Sequence, residues 1–168
     1  MGGAGRLGMG LLALAAPLLM GAADLHSNLD HRLLAAHNRE RAAQQVPPLR
    51  WDPALAGAAR AWADRLGATG RFEHAAGIDA GENLWAGTPR HYAPEDMVGR
   101  WVAEKRHYKP GRFPANSRTG RVEDVGHYTQ LMWRGTGKVG CALARGRGED
   151  VLVCRYTGAG NVIGATPF

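Results

Sequence analysis

His127 stands in "GHYTQLMW" (126–133), which crowds an imidazole, a hydroxyl and an amide among Leu, Met and Trp. A surface loop has no need of the large apolar side chains, and a plain core segment has none of the polar ones, so the mixture reads as the wall of a cavity. His74 in "RFEH" also follows a glycine-bearing loop and sits near an aromatic residue, and Glu82 in "GENLW" lies between a flexible loop and an apolar segment. Two imidazoles with carboxylates beside them suit a divalent cation, water filling a further position. A carboxylate left over would act as base or hold that water. Taken singly, each of these residues is more often structural, and their spread from 74 to 127 sets no ligand spacing.

A fourth candidate comes from a helix. Pro94 opens it and Lys109-Pro110-Gly111 closes it, which predicts a helix over 94–108. At 100° per residue Met97, Trp101, Glu104 and Tyr108 fall within about 60° of arc, so a carboxylate lies inside an aromatic stripe. Buried alone it would cost several kcal/mol or take up a proton, so it either has a cationic, hydrogen-bonding or metal partner or tips out at the edge of the stripe. His107 points away from it and reads as a rim residue. His26, His31 and His91 sit in polar or terminal contexts and read as solvated, while His37 reads as a structural histidine of the first helix.

Other chemistries are disfavoured. Ser27 and Ser117 are the only serines and neither lies in a G-x-S-x-G elbow, which argues against serine hydrolysis. No P-loop or G-x-G-x-x-G stretch is present. The chain carries a formal +6, but its positive residues form no run of five or six and are interleaved with Asp and Glu, so neither nucleic acid nor a polybasic membrane patch is indicated.

The elements that must position these residues follow from the punctuation. A basic start, an apolar middle and Gly21-Ala22-Ala23 predict a secretory signal over 1–23, which leaves 24–168 as a single domain. The apolar run is about 14 residues against the roughly 20 a membrane span needs, so no integral membrane segment is expected after cleavage. Residues 29–45 predict a helix that stops at Val46-Pro47-Pro48. Asp52-Pro53 predicts an N-cap and first turn, and Gly67 and Gly70 the end of that helix. Residues 82–86 read as a short extended segment. The stretches 139–144 and 150–156 read as two strands joined at a turn over 145–148. In that hairpin Cys141 and Cys154 face each other as a structural disulfide, in preference to a metal pair lacking further ligands. Helices early and the clearest strands late predict an α+β class around one sheet.

These stretches together resemble the CAP superfamily: the cysteine-rich secretory proteins, antigen 5 and the plant pathogenesis-related proteins, also called SCP-like extracellular. "GHYTQLMW" is similar to the family's first signature and "VLVCRYTGAGN" (151–161) to its second; "HNRER", "PLRWDPAL" and "GENLW" follow in the family's order over about residues 29–164. Gly158 departs from the pattern, which usually has proline there, and this is expected to touch loop stiffness more than the site. The resemblance implies a three-layer α-β-α sandwich with a central, largely antiparallel sheet and an open cleft. It carries the family's cleft tetrad to His74, Glu82, Glu104 and His127, a set able to hold zinc, magnesium or another divalent cation. His127 then projects into the cleft, with Leu131 and Trp133 packed behind it and Thr129 and Gln130 satisfying backbone groups. A secreted or periplasmic protein engaging a lipid, peptide or envelope partner follows. The alternative is a metal-dependent hydrolase with Glu82 or Glu104 as general base. The absence of N-x-S/T sequons and the single disulfide point toward a bacterial source.

Overall fold

The computed structural model describes Met1, residues 26–146 and residues 148–168. Apart from Met1, the signal segment expected over 1–23 lies outside the described residues. The elements run α1 (Leu29–Ala43), β1 (Arg50–Trp51), α2 (Pro53–Thr69), β2 (Gly81–Gly87), α3 (Pro94–Val102), a 3₁₀ turn (Ala103–His107), another (Val122–Asp124), α4 (Gly126–Met132), β3 (Lys138–Arg145) and β4 (Asp150–Thr157).

Four strands form one sheet in the order β1-β3-β4-β2. β1 pairs with β3 in parallel, whereas β3–β4 and β2–β4 are antiparallel. Both faces of the sheet are covered, which explains why β4 reads as a near-continuous apolar run. Its odd residues Val151 and Val153 pack with Ala59, Ala63 and Leu66 of α2. Its even residues Leu152, Cys154 and Tyr156 pack with Leu33, Met97, Trp101 and Leu131 on the opposite side. A helix layer, a sheet and a second helix layer result, the expected α-β-α sandwich. Cys141 lies opposite Cys154 in the register of β3 and β4, and the two form the disulfide.

Local signals account for most boundaries. Asp52 caps α2 by accepting from the amides of Ala54 (2.9 Å) and Leu55 (3.3 Å), and Pro53 begins the helix. The helix runs through Gly67 and ends at Gly70, not at both glycines. β1 follows the Pro47-Pro48 break and was not expected as a strand; two residues are too few for an alternation to show. The third helix is shorter than expected. α3 ends at Val102 and the chain tightens into the 3₁₀ turn, so Glu104 does not stand on an α-helix.

Gly158 has φ 72°, a left-handed conformation closed to proline, and a Cβ there would come within 2.6 Å of the Gly135 carbonyl oxygen. The departure from the usual proline therefore changes the path of the loop, beyond its stiffness. The loop is held by the Thr136 hydroxyl, which donates to the Gly158 carbonyl. Among the described residues no helix is long and apolar enough to cross a membrane.

Candidate functional site

The four candidate residues form two pairs. On the first, β2 presents Glu82 and the preceding irregular loop presents His74. His74 Nδ1 donates to Glu82 Oε1 at 2.9 Å, and the Ala75 amide donates to the same oxygen at 3.0 Å. Arg155, the register partner of Glu82 on β4, donates to Oε2 at 3.3 Å. The carboxylate side chain is 4% exposed while the imidazole is 61% exposed. Burial works against ionisation of Glu82. The hydrogen bonds from His74 and Ala75, with the charges of His74 and Arg155, outweigh it and hold the carboxyl below its ordinary pKa.

On the second pair, His127 Nδ1 donates to Glu104 Oε1 at 2.5 Å. Glu104 Oε2 accepts the backbone amides of His127 (2.9 Å) and Tyr128 (3.1 Å). Those are N–H groups of the first turn of α4, which have no partner inside the helix. Glu104 is thus the cap of α4, supplied from another element, and its negative charge stands where the helix dipole favours it. This answers why a carboxylate occurs in the aromatic stripe: its partners are a histidine and two amides. The Trp101 ring lies nearly parallel to the His127 ring, 12° between planes and 6.1 Å between centroids, and so limits its rotation.

His74, Glu82 and His127 line one cleft of about 310 Å³, together with a third carboxylate, Glu123, the amides of Asn83 and Asn161, and the apolar side chains of Phe113 and Val122. Glu104 is not among its lining residues and stands behind His127. In each pair Nδ1 is taken by a carboxylate, which leaves Nε2 as the nitrogen on offer; among the described residues no protein group bonds it. Both carboxylates have both oxygens occupied by protein donors. Carboxylates bonded at Nδ1 orient both imidazoles and make each Nε2 the better ligand atom. Among the described residues no three His, Cys, Asp or Glu side chains are grouped to hold a metal ion.

Three supporting residues had no visible signal. Asn83 Nδ2 donates to the His127 carbonyl (3.1 Å) and to the Tyr156 hydroxyl (3.3 Å). Asn161, at φ 58°, donates from Nδ2 to the Gly126 carbonyl (2.9 Å), and its Oδ1 lies 2.6 Å from the Thr129 hydroxyl. Arg41 is fully buried and donates to the carbonyls of Pro47, Leu131, Trp133 and Thr136. In sequence it is one more charge in a polar helical stretch. Thr129 and Gln130 behave as expected: Thr129 lies 3.0 Å from the Val125 carbonyl and Gln130 accepts the Gly160 amide at 2.9 Å. Leu131 and Trp133 are buried behind them. His37 is structural, as expected, donating from Nδ1 to Leu33 and accepting at Nε2 from Tyr156.

Comparison with known proteins agrees with this architecture. The model of the CAP, cysteine-rich secretory protein, family matches residues 34–156, and the chain belongs to that family. A pathogenesis-related protein of PR-1 type from Sambucus nigra is 36% identical over 137 residues, 79% of this chain and 78% of that one. The secreted protein RBT4 of Candida albicans is 33% identical over 139 residues, 81% of this chain and 36% of that one. A crystal structure of NaASP2 with Zn2+ superposes with a TM-score of 0.71 at 21% identity, covering 84% of this chain and 85% of that one. The relatives by sequence come from plants and yeasts, so the expected bacterial source gains no support.

Proposed function

We propose that this chain is an exported binding protein whose cleft holds a divalent cation on His74 and His127, and through it a lipid, peptide or envelope partner. The observation that carries the reading is the pairing of each Nδ1 with a carboxylate, for two histidines that line a single cleft. Such pairing fixes the neutral tautomer that leaves Nε2 as the basic nitrogen and makes that nitrogen a better ligand. A bound cation would supply a positive centre for an anionic or carbonyl group of the partner. Phe113 and Val122 would take an apolar portion of it. Export is supported by the secretory family and by a relative named as secreted.

The hydrolase alternative requires Glu82 or Glu104 as general base. Glu104 spends one oxygen on His127 and the other on two amides of α4, and Glu82 is engaged by His74, Ala75 and Arg155. Each carboxylate is thus engaged by three protein donors, which suits an orienting role better than that of a free general base, so the binding reading is preferred.

Calorimetric titration with zinc and with magnesium tests it. One ion per chain is expected, with His74→Ala and His127→Ala each weakening it at least about tenfold and each lowering the ion-free melting temperature modestly, because Glu82 and Glu104 each lose one hydrogen bond. No heat and no ion-dependent rise in melting temperature would count against a metal cleft.

A further inference from the structure

Ile163 is 82% exposed and its neighbour Val162 is 50% exposed. They sit on a tight turn closed by the Ala165 amide donating to the Val162 carbonyl at 3.1 Å. Gly164, at φ 83°, takes the third position, where a turn of this kind requires glycine. Turns in water ordinarily carry Asn, Asp, Ser or Pro beside such a glycine; here the projecting position holds isoleucine. The turn is also fixed in place. Gly164 donates to the Phe113 carbonyl and Phe113 to the Ala165 carbonyl, both at 2.8 Å, and Arg112 Nη1 donates to the Gly164 carbonyl at 2.5 Å.

The loop that holds the turn is basic. Residues 105–121 contain Lys105, Arg106, Lys109, Arg112, Arg118 and Arg121 and no Asp or Glu, and residues 157–168 contain no charged side chain. Lys105 is paired with Glu40 at 2.9 Å and Arg121 lies 4.0 Å from Glu123. Arg106, Lys109, Arg112 and Arg118 are exposed, and among the described residues none has a carboxylate within ion-pair distance. The loop folds back on itself: Arg118 donates its amide to His107 (2.7 Å) and Lys109 to Asn116 (2.9 Å). Cations separated in sequence are brought together, which is why no basic run announces them.

We propose that this corner of the molecule docks on an anionic lipid bilayer. Scattered exposed aliphatics are commonplace, and a basic loop is usually just solvated; their conjunction on one backbone-locked corner is the informative feature. Ile163 and Val162 reach the boundary between headgroups and acyl chains, while the arginines and Lys109 meet the anionic headgroups. Phe113 and Asn161 belong both to this corner and to the cleft lining, so docking sets the cleft mouth at the membrane surface. The proposal does not depend on any cation in the cleft.

Co-sedimentation of the purified protein with vesicles provides the test, with chelator present so that the cleft plays no part. Binding is expected to mixed phosphatidylcholine–phosphatidylglycerol vesicles, to fall with added salt, and to be absent with phosphatidylcholine alone. Lys109→Gln is expected to weaken it roughly fivefold and Ile163→Ser about tenfold, with melting temperatures unchanged because both side chains are exposed. No binding to the anionic vesicles, equal binding to both kinds, or an Ile163→Ser protein that binds as the parent does would overturn the proposal. Capture by soluble heparin that ignores Ile163→Ser, without vesicle binding, would identify a general polyanion surface and overturn it equally.

Discussion

Glu104 accepts three hydrogen bonds and projects from the 3₁₀ turn that follows α3. Its job at the residue scale is to orient His127 and to cap α4, and both jobs use its charge. Glu104→Gln retains the shape but loses the charge and one acceptor oxygen, since the amide nitrogen must face either the imidazole N–H or a backbone N–H. The expected result is a zinc affinity lower by about 10–100-fold with a loss of stability of roughly 1–2 kcal/mol, read by calorimetry and by urea unfolding. An unchanged affinity would mean that His127 needs no help to face the cleft. This residue was legible in the sequence because a lone carboxylate in an aromatic stripe demands a partner. The partner's identity was not, because two of the three donors are backbone amides, and backbone amides leave no mark in a sequence.

At the scale of elements, α4 is a seven-residue helix with a charge at each end. Glu104 meets its first-turn amides, and Arg41 from α1 receives the carbonyls of Leu131 and Trp133 at its other end, each sign where the dipole favours it. Burial pulls the Arg41 pKa down to about 10, with the charge of Arg134 adding to the fall, yet the guanidinium stays protonated at neutral pH. Arg41→Met should therefore destabilise the protein by at least about 3 kcal/mol, because buried carbonyls lose their donors, and a chemical-denaturation midpoint indistinguishable from the parent would contradict that role. The helix starts at Asp52-Pro53 and Pro94, and the hairpin that pairs Cys141 with Cys154, were readable because caps, prolines and a Gly/Arg-rich turn between two apolar stretches are local chemistry. The α-to-3₁₀ change at Ala103 and the two-residue β1 were not, since tertiary contacts decide them. For the same reason nothing in the sequence singled out Arg41: its four acceptors come from segments 6 to 95 residues away.

Across the whole molecule, a buried chain of hydrogen bonds links the core to the cleft. Asn83 donates to the Tyr156 hydroxyl, Tyr156 to His37 Nε2, and His37 Nδ1 to the Leu33 carbonyl, while Asn83 also holds the His127 carbonyl. Burial first, then the charge of Arg41, pushes the His37 pKa down to about 4 against the opposing bond to Leu33. The folded protein thus binds this proton less readily than the unfolded chain. The contribution of neutral His37 is complete above the unfolded value near 6.5 and is lost as pH falls through about 4, a change of up to about 3 kcal/mol. Glu82, held below its ordinary value, adds to the loss at still lower pH. Thermal melts between neutral pH and pH 4 should show this slope, and His37→Gln should flatten it; a variant with the parent's slope would place the titration elsewhere.

The central claim, that two carboxylate-oriented imidazoles share one ion, is met most directly by anomalous scattering from crystals grown with zinc. The account predicts a single peak bonded to Nε2 of His74 and of His127, with Glu82 and Glu104 still on the Nδ1 atoms and outside the metal's bonding sphere. A peak ligated by either carboxylate, or no peak between the two histidines at saturating zinc, would contradict it.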